Sequence, residues 1–164
     1  MIVVSDSSVL IALSRIGRLD ILPQLFGQVM IPAAVAAEIN AKHQGTEISA
    51  PWLQVVNVRN TSLANELMRF GQDRNKLDKG ESEAIVLAIE VDAAYLLIDE
   101  RRGRKTAAHF GLKLIGVLGV LALAKREGLL PEIRAVMDDL VKAGFRISDS
   151  LYHLVLEMAG ETER

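Results

Sequence analysis

Apolar positions along this chain fall into two patterns. Short β-branched or aliphatic runs recur at Ile2 to Ser5, Gln28 to Ile31, Gln54 to Val58, Tyr95 to Asp99 and Leu112 to Gly116, each too short for an amphipathic helix. Longer stretches with helical spacing fill the intervals. Pro32 stands where the first helical position is expected and Gly45 past the probable end of that segment, which predicts a helix from Ala33 to about Lys42. Between Asn65 and Gly80 the apolar regularity fades, two glycines intervene and cations accumulate, so an exposed, mobile stretch is expected there. The unbroken run Ala84 to Ile89 then predicts a helix buried inside the fold. Three more helices are expected at Val117 to Glu127, Glu132 to Ala143 and Ser148 to Ala159, separated by Gly128, Pro131 and Gly144. Alternation of this kind predicts an α/β fold, a three-layer α/β/α sandwich on a mainly parallel sheet, with extra helices at the C-terminal end. No linker divides it, so one domain is expected over 1–164, with a core of about 1–116 and a helical part of about 117–160.

Composition narrows the chemistry. The 164 residues include no cysteine, which excludes thiolate zinc sites, iron–sulfur clusters and thiol nucleophiles, and fits a reducing cytoplasm. The 19 Lys and Arg against 21 Asp and Glu exclude binding of nucleic acid by bulk charge, so any such contact must be local. The N-terminus has no basic segment ahead of its apolar residues, and Leu114 to Ala124 falls well short of the ~20 residues that cross a bilayer, so no secretory signal and no membrane span are expected. His43, His109 and His153 share no ligand spacing, and neither a phosphate-binding loop nor a dinucleotide fingerprint is present. Asp6-Ser7-Ser8 lacks the second Asp of the haloacid-dehalogenase phosphatases.

What stands out is acidic. In a doubly wound sheet, ligands sit beyond the carboxyl ends of the strands, and two of the expected strands end in Asp6 and Asp99. A helix cap accounts for either aspartate taken singly. Glu38 borders the apolar stripe of Val35 and Ile39. Glu81 and Glu83 open the buried helix and lie about 200° apart around it, so one small pocket admits only one of them. Glu83, adjoining the apolar run, is the expected member, and Glu81 its rival. Four converging carboxylates repel one another unless hard cations neutralise them, and oxygen ligands without Cys or paired His select Mg²⁺ or Mn²⁺. Such a site suits hydrolysis of phosphodiesters. Arg101, Arg102, Arg104 and Lys105 follow Asp99 and are candidates for phosphate contacts, with Arg104 equally suited to orienting an acid.

The segments Val4-Ser5-Asp6-Ser7-Ser8-Val9-Leu10-Ile11, Ile31-Pro32-Ala33-Ala34-Val35-Ala36-Ala37-Glu38-Ile39, Gly80-Glu81-Ser82-Glu83-Ala84-Ile85 and Leu96-Leu97-Ile98-Asp99-Glu100 together resemble the PIN-domain nucleases. That family includes the VapC-type toxins of toxin–antitoxin pairs, and the C-terminal helices look like those of an uncharacterised PIN-like subgroup. The resemblance implies a Mg²⁺- or Mn²⁺-dependent endoribonuclease with Asp6, Glu38, Glu83 and Asp99 as metal ligands and Ser8 as a supporting polar residue. Leu97 departs from the Thr or Ser that many relatives carry there. RNA is the implied substrate, with an antitoxin protein and a second copy of the chain as implied partners. The competing classes are a PIN-like interaction module without catalysis and a hydrolase of other phosphate esters.

Overall fold

The computed structural model describes residues 1–42, 50–69 and 76–161. Its sheet contains β1 (Val3–Ser5), β2 (Val29–Ile31), β3 (Leu53–Val55), β4 (Tyr95–Leu97) and β5 (Leu114–Ile115), all parallel, in the order β3-β2-β1-β4-β5. The central strand β1 is fully buried along Val3, Val4 and Ser5, as a strand covered on both faces must be. Edge strand β3 has Gln54 and Val55 exposed. The strands are shorter than their apolar runs, yet the ladder continues past their ends. Val56 N–H donates to Ile31 O, Ile98 N–H to Ile115 O and Asp6 N–H to Leu97 O. Asp99 therefore lies just beyond the hydrogen-bonded edge and does not itself end a strand.

Helices on the two sides complete a three-layer α/β/α arrangement. They are α1 (Ser7–Arg15), α2 (Ile21–Phe26), α3 (Ala33–Lys42), α4 (Thr61–Arg69), α5 (Lys79–Glu90), α6 (Arg101–His109), α7 (Val117–Arg126), α8 (Arg134–Lys142) and α9 (Asp149–Met158). Helix α5 packs on α3, α4, α6, β1 and β4, and its stretch Ala84 to Ala88 is wholly buried, as the unbroken apolar run predicted. Helix α3 keeps the predicted start and length, while Gly45 and His43 lie outside the described residues.

One expectation fails in part. Asn65 to Arg69 belong to α4, and the rest of that expected mobile stretch falls largely on 70–75, outside the described residues. Helix α4 buries the narrow stripe of Ala64 and Leu67. Hydrogen bonds hold it as well. Glu90 accepts from Arg59 N–H and Asn60 N–H, Asn60 Oδ1 accepts from Leu63 N–H at 3.0 Å, and the buried Ser82 hydroxyl donates to Ala64 O.

Among the leucines of the C-terminal helices, Leu121, Leu130, Leu140 and Leu156 are buried, while Leu151 and Leu154 of α9 are exposed. Helix α8 packs on α1, and α7 on both α1 and α2. This places the turn after α8 near the carboxyl edge of the sheet. Among the described residues, no helix is long and apolar enough to cross a membrane.

Candidate functional site

Strand order reverses at β1. From it the chain builds outward through β2 and β3 on one side, and through β4 and β5 on the other. Loops leaving the carboxyl ends of β1 and β4 diverge at that point and leave a crevice. Asp6 and Asp99 occupy it, tied together by a serine. Asp6 Oδ1 accepts from Ser8 N–H at 3.0 Å and from the Ser8 hydroxyl at 2.7 Å, and Ser8 Oγ accepts in turn from Asp99 N–H at 3.1 Å. Asp99 Oδ2 accepts from Val117 N–H at 3.0 Å, at the first turn of α7. Asp6 is thus both the N-cap of α1 and a neighbour of Asp99 across the crevice, whereas Asp99 caps no helix of its own segment, the N-cap of α6 being Glu100, and takes the first N–H of α7 from a distance.

Burial sets their electrostatics. Asp6 is 2% exposed, and loss of hydration pushes its carboxyl up to about 8. Its Ser8 hydrogen bond pulls the other way, and the negative charge of Asp99 adds to the rise. Asp99 is also raised, first by burial, against the opposing Val117 N–H and the charge of Arg104. No ion pair among the described residues neutralises either.

Glu38 approaches from α3. Ser7 Oγ donates to its Oε2 at 2.6 Å, and Gly80 makes room for it from α5. A β-carbon at Gly80 would collide with Glu38 Oε1, one at Gly116 with Asp99 Oδ1, and one at Gly103 would lie 2.9 Å from Glu81 Oε2. Three acids are therefore backed by glycine, where the neighbouring backbone comes too close for a side chain.

Of the two glutamates that open α5, the structure brings Glu81, the rival of Glu83, to the crevice. Glu83 accepts from Ala34 N–H at 3.2 Å at the start of α3 and does not line the crevice. Glu81 does, and it is 3% exposed. Its place is fixed by a reciprocal cap, in which Asp78 Oδ1 accepts from Glu81 N–H at 2.8 Å and Glu81 Oε1 from Asp78 N–H at 3.2 Å. Ala84 to Ala88 of α5 are buried all round, so adjacency to that run does not select the crevice face, whereas the Asp78-x-x-Glu81 spacing marks the cap that holds Glu81 there.

The cations also sort themselves. Arg102 Nε donates to Glu81 Oε1 at 2.7 Å and its Nη2 lies 3.4 Å from Asp78 Oδ2, so it orients an acid. Burial pushes the Glu81 carboxyl up to about 7, opposed by the Asp78 N–H bond and by Arg102 and reinforced by the Asp78 charge, and its Oε2 is buried without a partner among the described residues. Arg104 donates to Ile98 O at 2.8 Å beside Asp99. Arg101 is exposed on α6 and outside the crevice lining. The residues that the sequence did not point to are Arg15 at the end of α1, Lys42 at the end of α3, and Phe145 and Arg146 after α8, all of which line the crevice. Chain distance hid them, since nothing local links four such separated positions.

The crevice measures about 410 Å³. Its donor set is all oxygen, and Glu81 carries a buried orphan oxygen, both of which suit a hard divalent cation. Among the described residues, no three of His, Cys, Asp and Glu already form a ligand cluster. That is compatible with Mg²⁺, which keeps several waters and takes few carboxylates directly. Residues 2–161 match a family model described as the PIN domain. No curated protein matches the chain.

Proposed function

Because the chain belongs to the PIN-domain family, a nuclease-type fold whose members in general use divalent metal ions, we propose that it is a Mg²⁺- or Mn²⁺-dependent endoribonuclease. The observation that carries this reading is the convergence of Asp6, Glu38, Glu81 and Asp99, from four separate segments, on one crevice at the point where strand order reverses. Asp6, Asp99, Glu38 and Glu81 would hold the ion. A bound divalent ion supplies activated water and neutralises charge at the phosphorus. The protein supplies orientation. Ser8 fixes Asp6 against Asp99, Ser7 holds Glu38, and Arg102 locks one Glu81 oxygen so that the carboxylate cannot swing away. Buried acids held above their ordinary range release protons as a cation enters, which couples binding to pH.

A toxin of a toxin–antitoxin pair, working in the cytoplasm, is the corresponding cellular reading. What supports a protein partner or a second copy is the exposed face of Leu151, Leu154 and Met158 on α9. The alternative is an interaction module without catalysis. Calorimetric titration with Mn²⁺ decides between them. Binding by the wild type that Asp6→Asn abolishes while remaining folded, together with cleavage of RNA in Mn²⁺, is the expected result. No binding by the wild type overturns the nuclease assignment.

A further inference from the structure

Beside the acidic crevice lies a second, more open cavity of about 930 Å³ between β5, α7 and the beginning of α9, lined in part by Leu114, Leu118, Leu123 and Leu151. The two cavities share Asp99, Glu100, Phe145 and Arg146. The turn between α8 and α9 thus forms a boundary of both, and its conformation is locally specified. Gly144 has a φ of +100°, Gly144 N–H donates to Val141 O at 3.0 Å, and Phe145 N–H donates to Leu140 O at 2.9 Å. This paired pattern ends the helix and brings the residue after the glycine back toward its last turn. Phe145 is left half-buried and Arg146 exposed.

Charge around the crevice follows the same division. Four cations line it, Arg15, Lys42, Arg102 and Arg146. Arg102 is engaged by Glu81 and Asp78, whereas Arg15, Lys42 and Arg146 make no ion pair among the described residues. A ligand that matches these features has anionic groups for the cations, a flat face for a half-exposed ring, and a second flat group for an apolar cavity. Single-stranded RNA has all three, whereas in a duplex the bases are stacked and paired, so no face is free.

We infer that Phe145 and Arg146 form a strand guide, in which Phe145 stacks on a base beside the cleaved bond, Arg146 takes a phosphate, and the strand leads from the acidic crevice into the apolar cavity. This rests on the ribonuclease reading and adds to it a source of preference for single strands in the C-terminal part of the chain. Phe145 and Arg146 are binding residues, remote from the proton transfers.

The probe is a fluorescein-labelled twelve-nucleotide oligoribonucleotide of mixed sequence, free or annealed to its complement. Binding is read by anisotropy in an Asp6→Asn background, and cleavage in Mn²⁺ in the otherwise native chain. Phe145→Leu keeps an apolar side chain toward Leu140, so it tests stacking apart from folding. It is expected to weaken single-strand binding by about 5- to 100-fold and to raise KM with little change in kcat. Phe145→Trp retains binding. Arg146→Gln lowers the slope of log affinity against log salt by about 0.7. Unchanged binding and KM in Phe145→Leu, with cleavage by the native chain intact, overturns the strand guide and leaves the ribonuclease reading standing. If the native chain binds the single strand but cleaves no RNA, the ribonuclease reading falls and a guide beside a cleaved bond falls with it, whatever Phe145→Leu does. If neither binding nor cleavage of the single strand is seen, both fall.

Discussion

Two glutamates in this chain meet their surroundings in opposite ways. Glu161, after α9, receives Lys125 Nζ at 2.8 Å and Ile133 N–H at 2.8 Å on Oε2, and Arg134 N–H at 3.2 Å on Oε1. These partners hold its carboxyl below the usual range despite the opposing effect of burial. Glu81 has Arg102 and Asp78 N–H on one oxygen and no partner among the described residues on the other, and burial holds its carboxyl up. A carboxylate whose lone pairs are met by the protein stabilises the fold. One left half-met costs stability until something else supplies the missing charge. The contrast therefore separates a structural acid from one set aside for a ligand, and it can be broken by experiment.

The largest expected effect is at Asp6, the most deeply buried of the four crevice acids. Asp6→Asn removes a ligand charge and should reduce Mn²⁺-dependent cleavage by at least about 100-fold. Its stability should move the other way. A carboxyl raised in the folded state contributes stability that is full below its unfolded value near 3.8 and is lost as pH rises through about 8. Without metal, the native chain should melt at lower temperature as pH climbs from 5 to 8, and Asp6→Asn should flatten that slope. Addition of Mn²⁺ should restore the native chain alone. A pH-independent melting temperature in metal-free native protein would contradict the assignment.

Next in size is the paired substitution on α5. Glu81→Gln should lower cleavage by about 10-fold or more through loss of the charge held by Arg102. Glu83→Gln should leave turnover within about twofold and cost at most ~1 kcal/mol of stability, since its hydrogen bond to Ala34 N–H serves only the start of α3. The reverse ranking would return Glu83 to the site. Gly80→Ala tests Glu38 in the same assay. The added methyl displaces Glu38, so KM for the metal should rise while the far-UV spectrum is kept.

How far these contrasts were legible in the sequence depends on the distance over which each is set. The parallel sheet, the start of α3 at Pro32 and the burial of Ala84 to Ala88 follow from local pattern, and all were readable. Asp6 and Asp99 were readable as a pair because a strand end is a position that a pattern predicts. Helix α4 was missed although its Asn60 cap and its Leu63, Ala64 and Leu67 spacing are local, because the glycines and cations that follow drew the whole stretch into an expected loop. Glu81, and not Glu83, lines the crevice, held by a capping spacing that was present in the sequence, whereas the reading weighed the adjacent apolar run. Phe145 and Arg146 were illegible for a different reason. Their meaning comes from α8 packing on α1, which brings a distant turn to the crevice.

Glu161 gives the smallest effect and the cleanest control. Its side chain joins α7, through Lys125, to the backbone at the start of α8, and Lys125 also donates to Ala159 O at 2.7 Å. Glu161→Ala leaves two backbone N–H groups and an ammonium to find water, which should cost about 1–3 kcal/mol, or roughly 2–4 °C of melting temperature per kcal/mol. Because its carboxyl is lowered in the folded state, this stability is present above an unfolded value near 4.5 and disappears as pH falls through the folded value. The native chain should thus lose stability on acidification, and Glu161→Ala should lose less. RNA cleavage should be unchanged at temperatures where both remain folded, since Glu161 lines neither cavity. A fall in kcat without a fall in melting temperature would show that the C-terminal helices communicate with the acids by more than holding the α8–α9 turn in place.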